Sequence, residues 1–335
     1  MNKKRPIDKK RESAGRADIG TKEDGAIVEM TKIGERLLVI KEKSIYEFIL
    51  ADQIDPNRTN IGLPNNIQKL IVNQGSESEL VCKTFLTAKT LFKSEFLIDK
   101  IDTESILTLS LDLLIEIITL EKETNDLLQE EKKATAEYEK RKNESLSYAI
   151  PSIVDLEARC KSVFQRADHI EQIFMEIITK FYPSESLTKQ SHFPKFHEVL
   201  VKRYGENDPF PQYIKNAIPF MKIIRSIRNG LDHRLSTVRI IDFDLQSDSQ
   251  IISPTIELNH KEDRLERTSI TNFLDITNKN FLSIIEITFA YLAGYNGNNF
   301  FLGNQIKEIP EAKRRYKFVR YCFWANLGQD GYYNQ

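Results

Sequence analysis

The stretch Arg228-Asn229-Gly230-Leu231-Asp232-His233 closes an apolar helical pattern, and the fold prediction for the chain starts from it. The pattern runs through apolar residues at spacings of three and four: Ile214, Ile218, Met221 and Ile224. This spacing predicts a helix over about residues 212–231. Arg228 follows Ile224 by four residues and therefore lies on or beside the apolar face. An arginine in that position is unusual unless an anionic group faces it.

Arg228 and His233 do not share a face of a straight helix. At about 100° per residue, their side chains are about 140° apart around the axis. Both can face one ligand if the chain turns between them, a turn that Gly230 would allow. Alternatively, the two side chains converge with those of a second copy across a two-fold axis.

Positive charge is concentrated around this stretch although the whole chain has a formal net charge of −1. Residues 213–240 hold six Lys or Arg against one acid, Asp232. The six cations are Lys215, Lys222, Arg225, Arg228, Arg234 and Arg239. A local positive excess in a near-neutral chain is typical of a phosphate site. We therefore predict that Lys222, Arg225, Arg234 and Arg239 bind phosphate or RNA.

The order Arg, polar residue, three residues, His resembles the signature of the HEPN superfamily. The resemblance covers about residues 152–300, and it implies helical bundles that dimerise so that two such motifs meet in one cleft. Many members are metal-independent ribonucleases of toxin–antitoxin, abortive-infection and CRISPR systems. By this resemblance, Arg228 is the catalytic arginine, Asn229 its polar support and His233 the catalytic histidine.

The resemblance implies an endoribonuclease that cleaves RNA by attack of the 2′-hydroxyl, in a composite site of a homodimer. Histidine can move protons near neutral pH and arginine can hold the scissile phosphate, so no metal and no cofactor are expected. An antitoxin or companion defence subunit is a further expected partner. The alternative is a non-catalytic scaffold that binds nucleic acid or protein. In a purely structural role, Arg228 pairs with Asp232 or a nearby Glu and His233 merely ends the helix.

The composition limits the remaining choices. Hydrophobic residues make up 40% of the 335 residues and charged residues 29%, which excludes wholesale disorder. No apolar run approaches the ~18–20 residues that a membrane helix needs, so no membrane association is expected. The three cysteines are far apart and form no CxxC pair, which favours reduced thiols in the cytoplasm.

The predicted fold is mainly α. Residues 1–24 are read as a flexible basic arm, either a solvated terminus or a phosphate-contacting tail. Residues 25–147 form a helical N-terminal domain that ends in a long charged helix over residues 103–146. Residues 152–300 form a HEPN-like helical bundle with a β-hairpin insertion after the motif. Residues 301–335 form a basic and aromatic C-terminal segment.

The first helix of the predicted bundle starts after Pro151, where Ser152 and Asp155 have the spacing of a capping box. Its apolar positions alternate between spacings of three and four: Ile153, Leu156, Cys160, Val163, Ala167, Ile170, Phe174, Ile177 and Phe181. Such a continuous stripe packs into a bundle or against a second copy of itself.

Other candidate sites have less support. Asp242 and Asp244, together with Glu257, could hold a metal ion, but exposed acidic faces of hairpins are common. His192 and His197 lie beside phenylalanines and are expected to be packing residues.

The segment Arg314–Trp324 interleaves bases with aromatic residues. It could contact RNA by stacking, or it could be an edge strand packed on the core.

Overall fold

A computed structural model describes residues 4–13, 17–142, 149–298, 305–327 and 331–335. By the density of their internal contacts, the residues divide into two compact units. The first unit comprises Met1–Leu111 together with Gly297–Gln335, and the second comprises Asp112–Asn296.

Helices and strands are both well represented in the described residues. The helices are α1 Pro6–Arg11, α2 Ala51–Ile54, α3 Glu79–Val81, α4 Thr87–Leu91, α5 Thr103–Arg141, α6 Leu156–Phe181, α7 Phe193–Tyr204, α8 Pro209–Asp232 and α9 Ile270–Tyr295. The strands are β1 Ile27–Ile33, β2 Arg36–Lys41, β3 Ile45–Leu50, β4 Asn66–Val72, β5 Val238–Ile241, β6 Asp244–Leu245, β7 Ile251–Ile252, β8 Thr255–His260, β9 Asp263–Ser269, β10 Gln305–Glu308, β11 Tyr321–Ala325 and β12 Tyr332–Asn334. A π-helical turn at Cys82–Leu86 leads into α4, and a 3-10 turn lies at Glu311–Lys313.

The prediction of a mainly α protein with a helical N-terminal domain and a C-terminal helical bundle is wrong. Of the described residues, 49% are helical and 19% lie in strands, which form four small antiparallel sheets. The largest sheet has the order β1-β2-β3-β4 and lies in the region that we predicted to be helical. It forms because β2 carries a run of buried apolar residues, Leu38 to Ile40, that pairs with strands on both sides.

The first unit also differs from the prediction of a flexible arm over residues 1–24. Residues 6–11 form α1, which is tied to the body of the unit by the buried side chain of Ile7. Lys10 donates hydrogen bonds from its ammonium group to the carbonyls of Ile61 and Leu63. Residues 1–3 and 14–16 of the predicted arm lie outside the described residues.

In the second unit, α6 contains most of the apolar stripe that the sequence predicts. The side chains from Cys160 to Phe181 at stripe positions are buried. Their neighbour α8 begins with Asp208, whose carboxylate accepts a hydrogen bond from the Phe210 N–H at 2.9 Å, and with Pro209 in the first turn. Side-chain pairs place the start of α6 beside the end of α8, so the two helices run antiparallel.

The chain after α8 forms more sheet than the single hairpin that we predicted. The short strands β6 and β7 pair with each other in a two-stranded sheet. The strands β5, β8 and β9 form a separate three-stranded sheet in the order β5-β8-β9. Strand β9 has the polar sequence Asp-Arg-Leu-Glu-Arg-Thr-Ser, which carries no apolar alternation strong enough to predict it.

Two further predictions fall partly on residues that the structure does not describe. The long charged helix is found as α5 up to Arg141, and the last part of its predicted span, residues 143–146, lies outside the described residues. Within the C-terminal segment, residues 301–304 and 328–330 also lie outside them.

Candidate functional site at the end of α8

The motif Arg228–His233 occupies the last turn of α8. The helix continues through Gly230, so the first of the two alternatives, a turn at this glycine, does not occur, and the glycine serves close packing instead. A Cβ atom on Gly230 would lie 2.3 Å from Cγ2 of Val238 at the start of β5. Because the helix is regular here, Arg228 and His233 point in different directions around its axis.

The helix ends at Asp232, with His233 as its C-cap. The N–H of His233 donates to the carbonyl of Asn229 at 3.0 Å, and the N–H of Leu235 donates to the carbonyl of Gly230 at 2.8 Å. Arg234 has φ of 51°, in the left-handed region that glycine usually occupies at this position of a helix end. A non-glycine residue costs about 1–2 kcal/mol there, so the strain falls on a residue of the candidate site.

The guanidinium of Arg228 is held by three oxygen-bearing side chains. Nη1 donates to Oδ1 of Asn229 at 2.8 Å, Nη2 lies 3.3 Å from Oδ2 of Asp168 on α6, and Nε lies 3.1 Å from Oδ2 of Asp232. Asp168 is buried and Arg228 is 31% exposed. The expected anionic partner of Arg228 is therefore supplied by carboxylates of the protein itself.

Arg225 forms the next ion pair between α6 and α8, closer to the middle of both helices. Its Nη2 donates to Oε1 of Glu171 at 2.6 Å, and the Glu171 side chain is only 3% exposed. Nδ1 of His192 lies 3.3 Å from the same carboxylate oxygen. His192, which we expected to be a packing residue, thus lies at the edge of the ion pairs.

Asp232 forms the last of these contacts, where the end of α8 meets the start of α6. Its Oδ1 accepts a hydrogen bond from Nε2 of Gln165 at 2.8 Å and lies 3.3 Å from Nζ of Lys161. Burial alone would raise the pKa of the Asp232 carboxyl, but the hydrogen bond from Gln165 and the positive charges of Lys161 and Arg228 outweigh burial and lower it. We call the pairs Asp168–Arg228, Glu171–Arg225 and Lys161–Asp232 the α6–α8 ladder.

The three-dimensional structure neutralises most of the positive charge that the sequence concentrates in residues 213–240. Four of the six cations pair with acids from outside that segment: Lys215 with Glu206, Arg225 with Glu171, Arg228 with Asp168 and Arg239 with Glu257. Lys222 and Arg234 are exposed, and within the described residues neither forms an ion pair. The predicted phosphate-binding set thus divides into paired arginines and two available cations.

His233 is exposed at the C-terminal end of α8. In the part of the chain that the structure describes, its imidazole makes no hydrogen bond or ion pair. Both nitrogens are therefore open to solvent or to a ligand, as proton transfer requires.

A cavity of about 470 Å³ adjoins the end of the motif. Its lining residues come from the start of α6 and the end of α8: Asp155, Glu157, Ala158, Lys161, Leu231 and Arg234. The volume falls within the range of small-molecule sites. Asp155 and Arg234, which face this cavity, both have positive φ.

The acidic residues that pair with Arg228 and Arg225 were not predicted from the sequence. Asp168 and Glu171 are spaced by three residues and each directly follows a residue of the apolar stripe, Ala167 or Ile170. Acids at the edge of an apolar stripe indicate that cations of another element will face them. The sequence does not indicate which cations, since the partner of Glu171 is 54 residues away.

The candidate metal ligands are engaged with the protein. Asp242 accepts hydrogen bonds from the N–H groups of Ile153 and Phe243. Asp244 lies 3.4 Å from Nη2 of Arg267, and Glu257 is paired with Arg239. Within the described ranges, no three His, Cys, Asp or Glu side chains are grouped so that they could hold a metal ion.

Comparison of the chain with protein-family models, with curated proteins and with solved structures finds no match. Among the helices of the described residues, none combines the length and the apolarity that crossing a membrane requires.

Proposed function

We propose that the chain is a metal-independent endoribonuclease of the HEPN type, acting in the cytoplasm as a toxin or anti-phage effector. The observation that carries the proposal is the exposed His233 at the end of a helical turn whose Arg228 is fixed by Asn229. The adjoining cavity with Lys161 and Arg234 on its wall adds space and positive charge for a nucleotide.

In the proposed reaction, His233 takes the proton of a ribose 2′-hydroxyl, and the 2′-oxygen attacks the adjacent phosphorus. The bond from phosphorus to the 5′-oxygen breaks, and that oxygen receives a proton from the imidazolium of a second copy. The products are a 2′,3′-cyclic phosphate and a 5′-hydroxyl end. Arg228 stabilises the charge that develops on the pentavalent phosphorus.

Two copies are required because Arg228 and His233 diverge around the axis of α8. A homodimer that brings the two helix ends together would supply a base, an acid and two arginines to one phosphate. An antitoxin or companion subunit that covers this end of α8 would block the site.

Arg228 can hold a phosphate only if a carboxylate releases it. Asp232 is the carboxylate that can do so, because its Oδ1 already interacts with Gln165 and Lys161 while its Oδ2 faces Arg228. A phosphate would replace the Oδ2 contact and leave Asp232 with these two partners. The contact with the buried Asp168 would keep the guanidinium in place.

The proposal is tested by incubating purified protein with RNA in the presence of EDTA. Wild type should cleave and leave cyclic phosphate ends, and His233→Ala should not cleave. The matched control is His169→Ala, because His169 is an exposed histidine of α6 outside the motif. Loss of cleavage in both histidine variants, or in neither, would contradict the assignment of His233.

A non-catalytic scaffold that binds nucleic acid or protein is the second candidate. The observation that favours it is the pairing of Arg228, whose guanidinium lies within ion-pair distance of Asp168 and Asp232 as in a structural role. In that case wild type and His233→Ala should both leave RNA intact in EDTA, while Arg228→Ala should lower the stability of the second unit without any change in cleavage.

A further inference from the structure

The C-terminal sheet of the first unit carries aromatic side chains in register. Gln305 is the partner of Trp324 in β10 and β11, and Trp324 is the partner of Tyr333 in β11 and β12. Directly opposed residues of antiparallel strands project from the same face, about 5 Å apart. The three side chains therefore form a row across the three strands, and Trp324 and Tyr333 are both partly exposed.

Basic side chains lie over these rings. Nζ of Lys307 is 3.2 Å from the ring centroid of Trp324, and Nζ of Lys313 is 5.6 Å from that of Tyr333. The same arrangement recurs earlier in the segment, where Nζ of Lys317 is 5.0 Å from the ring centroid of Phe318. A ring with an ammonium group above it combines a stacking surface with a phosphate contact.

The segment has the charge that a polyanion requires. Residues 305–327 contain six Lys or Arg against two acids, in a chain whose formal net charge is −1. One of the two acids, Glu308, is paired with Arg314. The row of rings thus lies in the part of the first unit that complements a phosphate backbone.

The backbone at Gly331 lies close to the indole ring of Trp324. A Cβ atom on Gly331 would lie 2.2 Å from Nε1 of the indole, so only glycine allows β12 to approach this closely. The approach places the backbone at Gly331 against the indole, which is partly exposed.

We infer that the face of the sheet β10-β11-β12 bearing Trp324, Tyr333, Lys307 and Lys313 binds single-stranded RNA. Bases stack on the two rings, and the two ammonium groups move from the rings to the phosphates. The surface lies entirely within the first unit, and the choice of RNA as its occupant rests on the proposed function.

Trp324 is the single tryptophan of the chain and therefore reports on this surface without a label. The experiment is a titration of the full chain carrying His233→Ala, so that RNA stays intact, with an oligouridylate of about 12 nucleotides. We expect saturable quenching of the tryptophan fluorescence. Its affinity should fall with salt, and Lys307→Gln or Lys313→Gln should each lower the salt slope by about 0.7.

The matched control is Lys69→Gln, because Lys69 is an exposed lysine of β4 in the same unit. It should leave affinity and salt slope unchanged. With a fluorescent RNA, Trp324→Ala should weaken binding at least about fivefold, the lower end for loss of one base–aromatic stack. The two lysine variants keep the test valid if the tryptophan variant fails to fold.

Several outcomes would overturn the inference. They are a fluorescence that RNA does not change, binding that neither lysine variant weakens, and equal quenching by polyglutamate, which would identify an acidic protein as the occupant. RNA cleavage by wild type without a response of Trp324 refutes this inference and leaves the proposed function intact. A response of Trp324 without cleavage does the reverse.

Discussion

The pair Asp168–Arg228 offers the sharpest test of what holds the end of α8. Removing one partner of a fully buried ion pair costs about 3–5 kcal/mol, whereas a solvent-exposed pair contributes about 0.2–1 kcal/mol. The side chain of Asp168 is 7% exposed and that of Arg228 is 31% exposed, so water screens one partner only. We therefore expect Arg228→Met to lower the free energy of unfolding by about 2 kcal/mol, between these limits.

The assay is a double-mutant cycle with Arg228→Met, Asp168→Asn and the double variant, measured by urea and thermal unfolding. The double variant should be less destabilised than the sum of the singles, with a coupling energy of about 1 kcal/mol. For a unit of this size, the arginine variant should melt about 4–8 °C lower.

The control cycle uses Arg239→Met and Glu257→Gln, because the Arg239 side chain is 65% exposed. Its coupling energy should be below about 0.5 kcal/mol. A coupling energy for Asp168 and Arg228 no larger than that of the control would refute the structural role of the ladder.

Three further predictions concern the surroundings of the motif. Gly230→Ala should destabilise the second unit by about 1–3 kcal/mol through its clash with Val238, and Val238→Ala should relieve part of that loss, as a urea cycle would show. Arg234→Gly should raise the free energy of unfolding by about 1 kcal/mol and lower RNA cleavage, whereas unchanged cleavage would exclude a role for this cation. The pKa of the Asp232 carboxyl is lowered in the folded protein. The carboxylate therefore adds to the free energy of unfolding above its unfolded-state pKa of about 3.9, and this contribution is lost as pH falls through the folded-state pKa. Asp232→Asn should make the free energy of unfolding depend less on pH below about pH 4.

Local signals predicted the helices of the second unit well. The apolar stripe predicted from Ile153 to Phe181 lies mostly in α6, Leu156–Phe181, and the helix expected over about 212–231 is α8, Pro209–Asp232. In both helices, apolar residues recur with the periodicity of a helix. The start of α8 was misplaced by three residues because its cap, Asp208, lies in a proline-rich stretch that reads equally well as a turn.

The sheets were harder to predict because their evidence is not local. Strand β2 has the apolar run Leu37 to Ile40, which is too short to distinguish a strand from a buried helix. Its assignment depends on pairing, for example of Leu38 with Glu47 across the β2–β3 turn. The local signal for these strands in the sequence is the β-branched and aromatic content of β1 to β4.

The candidate site was predictable only in part for the same reason. The motif and its cations are contiguous in sequence, so Arg228, Asn229 and His233 could be named from it. Whether a cation is available depends on acids supplied by other elements, such as Asp168 for Arg228 and Glu257 for Arg239. The sequence therefore overstated the positive charge of the site.

The order of charges along the α6–α8 ladder also has a consequence for how the chain reaches its native alignment. An apolar stripe repeats with every turn, so apolar contacts alone distinguish poorly between α8 in its native position and α8 displaced by one turn. Displacement one way would bring Asp232 opposite Asp168, two carboxylates face to face. Displacement the other way would take Asp232 away from Lys161 and Gln165. The α6–α8 ladder therefore disfavours both misalignments. The residues that would meet RNA also set the register of the helices that present them.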